Sequence, residues 1–74
     1  MIEDPEGVAL VEKLTATEKE VLVYMAKGLT CRECGVIMTR SMHTVSDWRK
    51  TIRLKLRVST AEEASVLATK AGLV

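Results

Sequence analysis

The sequence predicts an all-α domain, and three observations carry that expectation. A hydroxyl residue followed three positions later by Glu recurs at Thr15–Glu18, Thr30–Glu33 and Thr60–Glu63. Each pair is a capping box, in which the hydroxyl oxygen takes a free helical N–H and the Glu reaches back to the cap. Apolar residues downstream follow helical spacing rather than alternation. Only four Gly and one Pro punctuate the chain, too few turn formers for a many-stranded β design. The 74 residues make one small domain, near the lower limit for a self-supporting core. The composition is 47% hydrophobic with one Trp, one Tyr and no Phe, so that core must be aliphatic.

Residues 1–12 read as an acidic N-terminal tail, with at most a short helical turn over "VALVEKL", and residues 13–74 as the domain. The start "MIEDPEG" lacks a basic segment and a long apolar run, so it is no signal peptide. No apolar stretch approaches membrane-spanning length. A soluble, cytoplasmic protein with reduced thiols is the expectation. The first helix is expected at about 16–27, where Val21, Leu22, Met25 and Ala26 share a side and Gly28 supplies the stop. A short helix follows at about 31–38. The turn Thr39–Ser41 then leads into a helix at about 42–56, with Ser41 as N-cap but no reciprocal acid. Val45, Trp48, Ile52 and Leu56 form its apolar face, while Ser46, Asp47, Lys50 and Arg53 point elsewhere. The last helix, about 61–71, carries Ala64, Leu67, Ala68 and Ala71 on one side. A short helix, a tight turn and a longer helix with a polar, basic outer face make a helix-turn-helix, whose longer helix can enter the DNA major groove.

Net charge is only +1, but it is unevenly spread. Residues 1–20 sum to −4 and residues 61–74 to −1, whereas residues 21–60 sum to +6. Taken alone, such a basic zone is accounted for by a solvated helix face.

The segments "LTATEKEVLVYMAKGLTCRE", "SMHTV" and "IRLKL" resemble, in order and without gaps, the LuxR-type (GerE-like) DNA-binding domain of bacterial transcription regulators. That family reads roughly L-T-x-R-E-x-E-V-L, G-x-[ST]-x-[KR]-E-I-A, S-x-x-T-V-x-x-H and I-x-x-K-L. The resemblance covers Leu14 to about Leu67. It implies a four-helix domain that binds duplex DNA through the helix at 42–56 and dimerises through the helix at 61–71, which puts Ala64, Leu67, Ala68 and Ala71 at the dimer interface. It places Ser46, Asp47 and Lys50 at base edges, and Thr44, Arg32 and Lys55 at phosphates. Arg49 and Arg53 join the phosphate set from charge and spacing. Lys50 can donate to guanine, Ser46 can pair with several bases and Asp47 can accept from cytosine. Members often carry a sensor or receiver domain before this one, so the chain is either an excised domain or a small stand-alone regulator.

Several residues depart from the family pattern. Thr17 stands for an Arg, Trp48 for a His, Arg57 for a Gly and Ala61 for an Arg. Trp48 is expected to pack inward. In the short helix, Cys34 and Gly35 occupy buried positions, but Val36 and Ile37 take positions usually polar and Arg40 one usually apolar. A slightly rotated packing that buries Ile37 is expected over an exposed apolar spot. Cys31, Cys34 and His43 supply fewer than the four ligands of a structural zinc site, and no βαβ pattern surrounds the C-x-x-C. One exposed and one core cysteine are expected, with no metal or cofactor, and His43 near the surface. No nucleophile–base set or carboxylate pair is placed for catalysis, so an enzyme is not expected. The expected function is sequence-specific duplex DNA binding by a homodimeric transcription regulator, nucleoid-associated when bound. The alternative is a protein-interaction module on the same fold, acting with or against a related regulator, and a regulatory protein partner fits either.

Overall fold

The computed structural model describes residues 4–74. Five helices follow one another: α1 (Pro5–Glu12), α2 (Ala16–Ala26), α3 (Cys31–Met38), α4 (Met42–Leu56) and α5 (Ala61–Lys70). The all-α expectation holds, and four of these helices lie where their caps and periodicity put them. Thr15, Thr30, Ser41 and Thr60 are the N-caps of α2 to α5, each accepting from the backbone N–H three residues on.

The fifth helix corrects the expected tail. Asp4 caps α1 through a 2.9 Å hydrogen bond from the Gly7 N–H to Oδ1, and Pro5 opens the helix. A proline is favoured there because its missing N–H would have no helical acceptor anyway. Val8 and Val11 are buried, with α1 lying against α5 and α4. Residues 1–3 of the expected tail lie outside the described residues.

The core is aliphatic, as the composition requires. Val21, Leu22 and Met25 of α2 meet Val45, Ile52 and Leu56 of α4 and Ala64, Leu67 and Ala68 of α5, with Val11, Leu14 and Cys34 completing the cluster. Leu22 and Ile52 are fully buried, each such side chain contributing about 1.5–3 kcal/mol relative to exposure. The alanines of α5 let it approach α2 along its length, the most extensive helix pair in the fold. One ion pair crosses the core's edge. Lys55 Nζ donates to both carboxylate oxygens of the buried Glu18, at 2.9 and 2.7 Å. It ties the last turn of α4 to the first turn of α2.

Candidate nucleic-acid interface

The turn between α3 and α4 sets the relation of the two helices. α3 closes with the Arg40 N–H donating to the Gly35 carbonyl at 2.8 Å and the Thr39 N–H to that of Val36 at 3.4 Å. Thr39 takes the left-handed conformation, φ 56°. The chain then passes so close to α3 that a Cβ at Gly35 would lie 2.6 Å from the Arg40 carbonyl oxygen. Only glycine fits that approach, which offsets its cost of about 1 kcal/mol inside a helix.

This geometry decides the orientation of α3. Cys34 and Gly35 are buried, whereas Val36 is 77% and Ile37 53% exposed. The expected rotation that would bury Ile37 does not occur. Turning α3 to bury Ile37 would take Gly35 away from the crossing that only it can make. Arg40, at the position usually apolar, is exposed.

From this base α4 projects its outer side. The Ser41 hydroxyl accepts from the Thr44 N–H at 3.1 Å, and its Oγ lies 3.0 Å from that of Thr44. Ser46, Asp47 and Lys50 are all exposed, brought onto one stripe by the helical repeat. His43 and Leu54 fall on the same stripe and are exposed too. Leu54, 71% exposed, was missed by sequence reasoning. Its signal was its place four residues after Lys50, on the side opposite Ile52 and Leu56. Trp48 is half-buried against the core, as expected.

The expected phosphate residues divide. Arg32 is exposed in the first turn of α3, and Arg53 is half-buried in the last turn of α4. Arg49 reaches back across the two helices, its Nη1 donating to Cys31 Sγ at 3.3 Å. Lys55 is held by Glu18 instead of standing free, the only salt bridge among the described residues. Burial pushes the Glu18 carboxyl up, but hydrogen bonds from Lys55 and Thr15 and the Lys55 charge outweigh it and hold the group below its usual range. For Cys34, burial pushes the thiol up against the opposing charge of Arg49.

The expected dimer residues require correction. Ala64, Leu67 and Ala68 are buried within this chain and Ala71 is packed against the same core. The apolar side of α5 closes the monomer, because α1 and α2 already cover it. Its free side carries Glu62, Val66, Thr69 and Lys70. A groove of about 390 Å³ has Val66 and Lys70 on one wall and Asp4 and Arg57 among the others. It lies away from the stripe on α4. No group of acidic, His and Cys side chains among the described residues could hold a metal ion, and no helix there is long and apolar enough to cross a membrane.

Comparison with known proteins agrees with this architecture. Residues 12–68 match the family model of the bacterial regulatory proteins of the luxR family. The transcriptional activator protein ExaE of Pseudomonas putida is 37% identical over 68 residues, covering 92% of this chain and 32% of that protein. The chain therefore spans about a third of that relative's length. No solved structure matches.

Proposed function

The chain belongs to the luxR family of bacterial regulatory proteins, and from that premise we propose that it binds duplex DNA sequence-specifically as part of a transcription regulator. The observation that carries the reading is the exposed stripe of Ser46, Asp47 and Lys50 on α4, beside the first turn of α3 with its exposed Arg32. Laid in the major groove, α4 presents these three to base edges. Arg32, Arg49, Arg53 and the Thr44 hydroxyl then approach the flanking phosphates, and the helical N-terminus of α3 adds unpaired N–H groups there. Lys55 contributes less than its charge implies, because Glu18 neutralises it.

A homodimer through the free side of α5, with Val66 at its centre, would set two copies of α4 about one helical turn of DNA apart. Soluble, cytoplasmic action follows from a DNA partner, and the reading needs no enzymatic step. The experiment is duplex binding across a salt series. Affinity should fall steeply with salt, and Lys50→Ala should cost about 1–3 kcal/mol on the preferred site while leaving the fold intact. A folded protein without salt-dependent binding at low salt would sink the reading. It would favour instead a protein-interaction module, to which the exposed Val36 and Ile37 already lend support.

A further inference from the structure

We infer that Cys31 and Cys34 form a peroxide-oxidisable dithiol, a modification site wired to the DNA-facing helix through Arg49. The C-x-x-C by itself would carry nothing. The structure adds three independent facts. Cys31 is the first residue of α3 and half-buried, Cys34 lies one turn further on and fully buried, and the guanidinium of Arg49 on α4 donates to Cys31 Sγ at 3.3 Å. The two sulfurs therefore differ in role: Cys31 is open to a small oxidant, and Cys34 is sheltered behind it. Negative charge that develops on Cys31 Sγ during attack faces both a guanidinium and the free N–H groups of the helix start.

The chemistry balances with a hydroperoxide as oxidant. Cys31 sulfur, having given up its proton, attacks the terminal peroxide oxygen and the O–O bond breaks. The leaving oxygen takes a proton and departs as water or an alcohol, and Cys31 becomes a sulfenic acid. Cys34 sulfur, losing its proton, then attacks Cys31 sulfur, and the S–O bond breaks as hydroxide leaves with that proton as water. Two thiols are oxidised to one disulfide while the peroxide is reduced by two electrons. Side chains three apart on a helix have Cβ atoms about 5–6 Å apart, and a disulfide asks for about 3.5–4.5 Å. Closure therefore needs a shift of about 1–2 Å in the first turn of α3, made against the hold of the Thr30–Glu33 capping box.

The consequence reaches α4. Cys31 sulfur, drawn toward Cys34, no longer accepts from Arg49, and α4 loses the tether that orders this cation. This part rests on the DNA-binding reading proposed above, and the tests keep the two apart. The reduced full chain is exposed to hydrogen peroxide and followed by intact mass, then assayed on a mixed-sequence duplex at low salt. The expected result is an intramolecular disulfide, one hydrogen lost per cysteine and reversed by dithiothreitol. Oxidation should also lower duplex affinity by about threefold, near the loss of one phosphate contact. Cys31→Ser, at a half-buried site where the hydroxyl can still accept from Arg49, should bind DNA normally and resist oxidation. Arg49→Gln should slow the oxidation step, read without DNA, by about threefold. Sulfinic acid at Cys31 with no disulfide, or only disulfides between chains, would overturn the dithiol. A disulfide that leaves duplex affinity unchanged would overturn its link to α4. A disulfide in a chain whose reduced form binds no duplex supports the dithiol and sinks the DNA reading alone.

Discussion

Helices α2 and α3 begin and end with the same hydrogen bonds and differ in nearly everything those bonds serve. Each starts with a reciprocal capping box: Thr15 with Glu18, and Thr30 with Glu33, at 2.9 and 3.1 Å in both. Each stops with the same paired closure, Leu29 to Tyr24 and Gly28 to Met25 in one, Arg40 to Gly35 and Thr39 to Val36 in the other. In α2 the capping acid and the residue that closes the helix also serve the core. Glu18 is buried and gripped by Lys55, Gly28 takes the left-handed turn without strain, and Leu29 packs inward. In α3 the same sites face solvent: Glu33 is exposed, a β-branched Thr39 sits at positive φ, and Arg40 points outward. The glycine of α3 lies inside the helix, where the turn crosses it. The caps of α2 serve stability, while α3, beside α4, keeps its surface free and relies on one close approach.

Gly35→Ala should break this comparison most severely. Its new Cβ meets backbone, not a flexible side chain, so destabilisation of about 2–3 kcal/mol by urea unfolding is expected despite alanine's better helix propensity. The two capping glutamates come next. Glu18→Ala should cost about 2 kcal/mol, losing cap and ion pair together, against about 1 kcal/mol for Glu33→Ala, which loses the cap alone. Acid should erase much of that difference. Glu18 has a folded pKa lowered from its usual 4.5, so its stabilisation is present above the unfolded value and disappears as pH falls through the folded one. Unfolding midpoints of wild type and Glu18→Gln, measured from neutral pH downward, should therefore converge in acid. Equal costs for the two glutamates at neutral pH would mean that the Lys55 bridge adds nothing.

The smallest effects should come from making α3 end as α2 does. Thr39→Gly should stabilise by about 0.5–1 kcal/mol, removing the left-handed penalty of a β-branched residue against glycine's greater chain entropy. Arg40→Leu should add a few tenths of a kcal/mol through the apolar contact that this closure usually makes. If DNA binding weakens as the thermal midpoint rises, the turn was kept open for its surface.

Much of this was legible in the chain. The capping boxes at Thr15, Thr30 and Thr60 located three helix starts, and the spacing of Val45, Ile52 and Leu56 oriented α4. The start of α1 was legible too, as Asp4 followed by Pro5 is a cap and first-turn signal, but the acidic composition around it read as tail. Ser46, Asp47 and Lys50 could be placed on the outer side of α4 because a regular helix sends residues opposite its core face to solvent. No such rule covers contacts between helices. The capture of Lys55 by Glu18 spans 37 positions, and the burial of Ala64 and Ala68 depends on α1, α2 and α4 packing against α5.

The sequence by itself determined α2 to α5, their N-caps and the polar stripe on α4, because these depend on residues within a turn or two of one another. Only the tertiary structure decided that Val36 and Ile37 stay outside, that α5 turns its alanines inward and that Arg49 meets Cys31. Those outcomes come from how rigid helices close around one core, where the nearest approach of two backbones at Gly35 outweighs the burial of a single isoleucine.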